Sequence, residues 1–373
     1  MPIPHFFYVF QICYFIVNLY IFSHFWHIRF GRGNNSIFKL LLLALILVLP
    51  VHMSLQHFLN ISIVPLKLVG FFYFVVMFYS AIYLLMMDLL KLLLTFLRLS
   101  NLFVRNYGLF LNMGLFLALL TTIAGCYMGT LISTPEYTVT LEKRSSSFER
   151  LRIVFVADLH LSNISDRNFA KRIVDKINGL NADLVLIPGD IIDRSVAELR
   201  YDFASDLRNI SSRNGVFAVT GNHDYYEKTA VFRDFCRRSG ISLIEDSSVV
   251  IENGLTIVGR NDRSYASTRE GRKPLFAIME AVDRSLPVIL LDHTPFNLEQ
   301  ASENGISLQL SGHTHHGQLF PLQFVMDMLY KISRGHVVVK GSDIIVTSGV
   351  GFWGPPVRTS ALPEIVVVNA LFR

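Results

Sequence analysis

Between residues 1 and 135 the chain has a single acidic side chain, Asp88, against seven Lys/Arg. Cysteine is equally scarce. Cys13, Cys126 and Cys236 lie far apart without CxxC spacing, and two of them fall in the hydrophobic third. The polar part therefore cannot form an internal disulfide, and the cysteine count says nothing about redox compartment. No internal repeat or low-complexity tract is present. Of the 34 basic and 29 acidic residues, 27 and 28 lie beyond residue 135, so the net +5 arises in the hydrophobic third. A pI of about 9.0 would otherwise raise nucleic acid as a partner. Here the charge belongs to loops between apolar stretches, and no nucleic-acid partner is expected.

What the first third does contain is four apolar runs, about Phe6–Trp26, Phe38–Leu55, Leu68–Leu90 and Leu109–Ile132. Each approaches the roughly 20 residues that cross a hydrocarbon core. Buried core helices would be shorter and amphipathic, whereas these are apolar on all faces. A signal peptide in place of the first would need a basic n-region and an A-x-A site, and neither is there. Lys/Arg sit after the first run (Arg29, Arg32, Lys39) and after the third (Lys91, Arg98, Arg105). The N-terminus has none, and the second connection has only Lys67. That bias puts both termini on the non-cytoplasmic side of an inner membrane. Lys143, Arg144, Arg150 and Arg152 run against it, but they open a folded domain, where the rule weakens.

Residues 1–135 are thus expected as a transmembrane helical region, 136–150 as a linker and 151–373 as one folded domain. "LRIVFVADLH", "ADLVLIPGDIID" and "GVFAVTGNHD" read as buried strands separated by helices, and strands dominate beyond Ile241. Ser165 is a candidate N-cap for a helix burying Phe169, Ile173 and Ile177. This order argues for an α/β sheet. The polar residues of interest sit where strands stop: Asp158 and His160, then Asp190, Asn222 and His223, His293, and His313 and His315. In open α/β sheets, sites gather at the carboxyl ends of strands.

Any one of these residues could be ordinary turn chemistry. Together, clustered carboxylates repel one another and call for a cation. Mixed oxygen and imidazole donors suit Mn, Fe, Zn or a related metal. There are too many for one tetrahedral zinc, which favours two ions roughly 3.5–4 Å apart bridged by a carboxylate. Such a centre activates water for attack on phosphorus, and a nearby histidine can stabilise charge or protonate the leaving oxygen.

In order, the blocks are Asp158-Leu159-His160, Gly189-Asp190, Gly221-Asn222-His223-Asp224, His293 and Gly312-His313-Thr314-His315. They resemble the five motif blocks of the calcineurin-like metallophosphoesterase superfamily over about residues 150–373. The likeness is strongest to its bacterial membrane-attached branch, which has N-terminal spans and a "GHTHGGQ"-like final block. The resemblance implies a four-layer α/β/β/α sandwich behind a bundle of about four transmembrane helices. It implies one metal on Asp158, His160, Asp190 and His315, and a second on Asp190, Asn222, His293 and His313. It further implies His223 as transition-state stabiliser or general acid, oriented by Asp224. His316 stands where the family block often has glycine and is not expected to ligate. In "SGVGFWGPPVR", Trp353 and Arg358 are candidate cleft residues, Arg358 to pair with a phosphate. Arg260 and Asp262 are weaker candidates.

The expected activity is membrane-anchored hydrolysis of a phosphomonoester or phosphodiester, with the spans suggesting a lipid-linked or envelope substrate. One alternative is pyrophosphate hydrolysis of a UDP-2,3-diacylglucosamine-type substrate in lipid A synthesis. That substrate is cytoplasmic and conflicts with the orientation above. Another is a non-catalytic membrane scaffold, which would tolerate lost ligand positions, yet every position is filled. Protease added to intact spheroplasts is expected to cut the polar domain; full protection would reverse the topology.

Overall fold

A computed structural model describes residues 4–25, 36–142, 144–226, 229–252, 254–267 and 271–373. Trp26, Arg29, Arg32 and Lys143, used above for spans and orientation, lie outside the described residues. The chain divides into two units, Met1–Tyr127 with Gly354–Val357, and Met128–Trp353 with Arg358–Arg373.

The first unit is helical: α1 (Pro4–Phe25), α2 (Ser36–Leu59), α3 (Val64–Phe96), α4 (Ser100–Arg105) and α5 (Tyr107–Met128). Among the described residues, α1, α2, α3 and α5 are long and apolar enough to cross a membrane. The third run extends past its expected end, giving α3 33 residues. Polar side chains between helices find partners. Tyr14 donates to the Ile46 carbonyl at 2.8 Å, and Asp88 accepts from Tyr20 at 2.8 Å and lies 3.2 Å from His24 Nε2. In an apolar surround an unpaired carboxylate would be costly, which accounts for Tyr20 and His24 beside the region's only acid.

The second unit begins with β1 (Glu136–Leu141) and β2 (Arg150–Phe155), followed by α6 (Arg167–Gly179), β3 (Leu184–Pro188), α7 (Phe203–Leu207) and β4 (Val216–Val219). Next come α8 (Thr229–Arg238), β5 (Ser242–Leu243), β6 (Ser247–Ile251), β7 (Leu255–Gly259), α9 (Leu275–Met279), β8 (Val288–Leu291) and α10 (Glu299–Glu303). The chain closes with β9 (Leu308–Ser311), α11 (Leu322–Leu329), β10 (Gly335–Val339), β11 (Ser342–Val346) and β12 (Val366–Phe372). Two six-stranded sheets result, ordered β1-β12-β2-β3-β4-β5 and β10-β11-β9-β8-β7-β6. In the first, β2, β3, β4 and β5 run parallel, with β12 antiparallel to β2. In the second, β7, β8, β9 and β11 run parallel.

Side-chain alternation along the strands divides the core into three apolar layers. Ile153 and Phe155 of β2 point between the sheets and meet Leu255, Ile257, Ile289 and Leu310. Val154 points the other way, onto Phe169, Ile173 and Ile177 of α6 and Phe232 of α8. On the far face, Val258, Leu290 and Ile344 pack against Leu275 of α9 and Ala301 of α10. The order is therefore α/β/β/α.

Two local expectations change. Residues 136–141, read as part of a linker, form β1 and pair in parallel with β12. "YTVTL" alternates as a strand does, but its partner lies over 200 residues away in sequence. The cap of α6 is Asp166 rather than Ser165, with its carboxylate accepting from the Phe169 amide. Replacing Phe155, fully buried between the sheets, by alanine is expected to cost about 3–5 kcal/mol. Denaturant unfolding of the detergent-solubilised protein measures it.

Candidate metal centre

The parallel strands of both sheets end at one rim. Asp158 and His160 follow β2, Asp190 follows β3, Asn222 and His223 follow β4, His293 follows β8, and His313 and His315 follow β9. Asp158, His160, Asp190, His313 and His315 all have positive φ, between 45° and 74°. Such backbone costs a non-glycine residue about 1–3 kcal/mol and persists only where the surroundings enforce it. Here it turns consecutive polar side chains inward as each strand leaves its sheet.

Three groups of donors converge: Asp158 with His160 and His315, Asp190 with His293 and His313, and His160 again with Asp193 and His223. Within each group the atoms lie within 4.8 Å of one another. His160 Nε2 and His315 Nε2 are 2.9 Å apart, and Asp158 Oδ1 lies 3.6 Å from the latter. His293 Nδ1 is 2.8 Å from the Pro188 carbonyl, which can only accept, so Nδ1 carries a proton. Its Nε2 then faces Asp190 Oδ2 at 3.1 Å and Asn222 Oδ1 at 3.2 Å. Asn222 Oδ1 is also 2.7 Å from His313 Nδ1. Acceptors are thus aimed at acceptors inside a buried site, an arrangement that a second proton or a cation must complete. The donor set fits divalent metal.

Asp190 Oδ2 joins the groups, 3.7 Å from His160 Nε2 and 3.1 Å from His293 Nε2. Burial raises the Asp158 pKa, with neighbouring Asp190 adding to the effect. Burial also works against ionised Asp190, but His293 and His223 override it and hold the pKa well below the carboxylate range. His293 moves far upward because Asp190 and Asp158 outweigh its burial. His313 falls to about 4 through burial and the nearby His293.

Close approach around the carboxylates explains two glycines. A Cβ on Gly221 would lie 2.1 Å from Asp190 Oδ1, and one on Gly312 would lie 2.4 Å from Asp158 Oδ2.

Two expected roles change. Asp224 is turned to backbone amides. Its buried carboxylate accepts from the amides of Ile192 (2.9 Å), Gly221 (2.9 Å) and Ile191 (3.4 Å), tying the loop after β3 to the loop after β4. Burial, then Asp190, pushes its pKa to about 7. The imidazole partner is Asp193, which the motif reading passed over. One Asp193 oxygen lies 3.1 Å from His223 Nδ1 and 3.5 Å from His160 Nδ1. Burial opposes protonation of His223, but Asp190 and Asp193 raise its pKa to about 9. The signal was in the sequence: "GDIID" places a second carboxylate three residues after Asp190.

Arg358 is fully buried rather than open to a substrate. It donates to the carbonyls of Gly351 (2.6 Å) and Ser348 (2.9 Å) and reaches His315 Nδ1 at 3.4 Å. Burial lowers its pKa to about 10. Trp353 is exposed, its backbone pairing with the Gln318 amide at 2.9 and 3.1 Å. Arg260 is held at 2.9 Å by Asp292, and Asp262 accepts from Thr294 and Ser264. His316 has φ 46° and ψ 41°, the left-handed conformation natural to glycine. Its ring turns away to Ser333 Oγ, 2.7 Å from Nδ1.

Beside Asn222 and His313 opens a pocket of about 550 Å³ that includes Asp262, Arg263, Arg272 and Phe296. The Arg263 guanidinium lies over the Phe296 ring, 4.3 Å from its centroid.

An α/β/β/α sandwich carrying His, Asp and Asn at its strand ends defines a metal-binding hydrolase of phosphate esters. The chain belongs to the calcineurin-like phosphoesterase family, whose model matches residues 151–317. It is 31 % identical over 276 residues to an uncharacterized metallophosphoesterase of Helicobacter pylori, covering 72 % of each chain. A zebrafish (Danio rerio) transmembrane protein with metallophosphoesterase domain is 33 % identical over 240 residues, covering 61 % of this chain and 54 % of that one. Among solved structures, a 5'-nucleotidase precursor of Thermus thermophilus aligns with a TM-score of 0.37 and 14 % identity. It covers 60 % of this chain and 54 % of its own.

Asp193→Asn is expected to lower turnover by roughly 10–100-fold, the usual loss when a histidine's outer partner is removed. Steady-state kinetics with metal content measured in parallel checks it, and unchanged turnover would remove Asp193 from this role.

Proposed function

We propose that the protein is a membrane-anchored phosphohydrolase cleaving a phosphomonoester or phosphodiester with the aid of two divalent cations. The supporting observation is the position of Asp190, a single carboxylate oxygen facing both His160 and His293. In this reading Asp158, His160, Asp190 and His315 hold one cation, and Asp190, Asn222, His293 and His313 the other. Mn, Zn, Fe or a similar ion suits these donors. The cations would supply Lewis acidity toward a phosphoryl oxygen and acidify a water into the neutral range.

The remaining work falls to the chain itself. Asp193 accepts a hydrogen bond from His223 Nδ1–H through its carbonyl (2.8 Å) and its carboxylate (3.1 Å), which stabilises the imidazolium and leaves Nε2–H to give its proton to the leaving oxygen. Asn222 contributes a neutral oxygen, which limits the negative charge facing an anionic substrate. The pocket beside Asn222 and His313 receives the group esterified to the phosphate, with Phe296 as an apolar wall and Arg263 as a cation. The helical third keeps the enzyme at a bilayer, on its non-cytoplasmic face in the orientation favoured above, and the substrate is lipid-linked.

Asp190→Asn and Asn222→Ala are each expected nearly to abolish hydrolysis of a chromogenic phosphodiester without lowering the thermal midpoint, since both residues lie at a rim. A titration of apo-protein with Mn, Zn, Co and Ni is expected to restore turnover at two equivalents. Normal turnover by either variant would sink the two-cation assignment.

A further inference from the structure

The helix after the GHTHHG block presents apolar side chains outward. Its sequence, LQFVMDML, is mostly apolar, yet none of α11's eight residues is buried. Gln323 and Asp327, four apart and so on one face, are its polar residues. Gln323 faces the protein, whereas Asp327 stays about half exposed at the edge of the helix. Gln323 buries its side-chain oxygen, and Asp327 accepts from the Ser333 hydroxyl, which in turn accepts from His316 Nδ1. The opposite face exposes Phe324 (59 %), Val325, Met328 (86 %) and Leu329. Phe320 just before the helix continues the patch, and Trp353 is held next to it through Gln318. Six large apolar side chains within a short reach are unusual on a face meant for water.

We propose that α11, with Phe320 and Trp353, seats the catalytic unit in the surface of a phospholipid bilayer. The chain itself specifies the occupant. It passes from α5 directly into this unit, where Ser133 is already bonded to the Pro363 carbonyl at 2.8 Å. Chain continuity thus keeps this unit close to whatever bilayer holds the four candidate spans, and a phospholipid surface is the apolar partner nearest to hand. The composition of the patch agrees, since Trp and Phe with aliphatic neighbours are the residues that settle at the boundary between headgroups and acyl chains. His316 gains a purpose from this geometry. It is the strut between the helix and the loop of His313 and His315, so docking of the helix would steady that loop through Ser333. The docking stands independently; that it serves hydrolysis rests on the phosphohydrolase reading.

The test uses the full chain in vesicles of phosphatidylcholine and phosphatidylglycerol. The sequence has two tryptophans, so Trp26→Phe leaves Trp353 as sole reporter. Brominated acyl chains are expected to quench Trp353 emission relative to unbrominated lipid. The added pair Phe324→Asp and Met328→Asp is expected to abolish that quenching while turnover of soluble bis(p-nitrophenyl) phosphate persists. Unquenched Trp353 in the parent overturns the proposal, as does quenching that survives the paired substitution. Shielding of Trp353 from bromine that grows with protein-to-lipid ratio would assign the face to a second copy, and also overturns it. Should the paired variant fail to fold, the parent's quenching alone decides. Quenching without turnover of the soluble ester would uphold the docking and fail the phosphohydrolase reading instead.

Discussion

Asp158 and Asp190 end adjacent buried strands with their carboxylates withdrawn from water, and two such charges repel unless positive charge lies between them. Much of the second unit is arranged around that demand. Four histidines deliver ring nitrogens to the space the carboxylates face, and a carbonyl fixes one of those rings so that its free nitrogen points inward. Arg358 stands behind His315 as a buried positive charge, and the Asp158 carboxylate in turn accepts from the His313 amide. Glycine at 221 and 312 lets backbone come within contact of the acids. The left-handed residues at the rim are strained individually, but the packed ends of both sheets leave them no alternative.

The strand-end logic made the site legible because each block is local: a buried apolar run, then polar residues where it stops. Asp158, Asp190, Asn222, His293, His313 and His315 needed only that pattern, together with the rule that parallel sheets gather function at their carboxyl ends. Roles that depend on tertiary distance were not legible. Asp224 lies beside His223 in the chain but spends its carboxylate on three amides, while Asp193, thirty residues away, reaches two imidazoles. Arg358 read as a ligand for phosphate because guanidinium groups are rarely buried, and nothing local announced the carbonyls that hold it.

In the fold the same division holds. Strands with clear alternation were readable, including those beyond Ile241. The short helices α9 and α10 are five residues each, too brief to show a 3.6-residue period. The long helices of the first unit were legible from hydropathy alone, although polar contacts between them, such as Tyr20 and His24 with Asp88, were not.

Strand β12 occupies the position between β1 and β2, so the first sheet is interrupted until residues near 370 are in place. This has a temporal meaning. A ribosome completes the helical third and the whole run of metal-binding blocks before it makes the strand that joins β1 to the rest. Until then β1 has no neighbour and β2 lacks one of its two, and the site's first block, Asp158 and His160, hangs from that open edge. Closure of the first sheet therefore waits on the last strand to be synthesised, because only β12 can join β1 to β2.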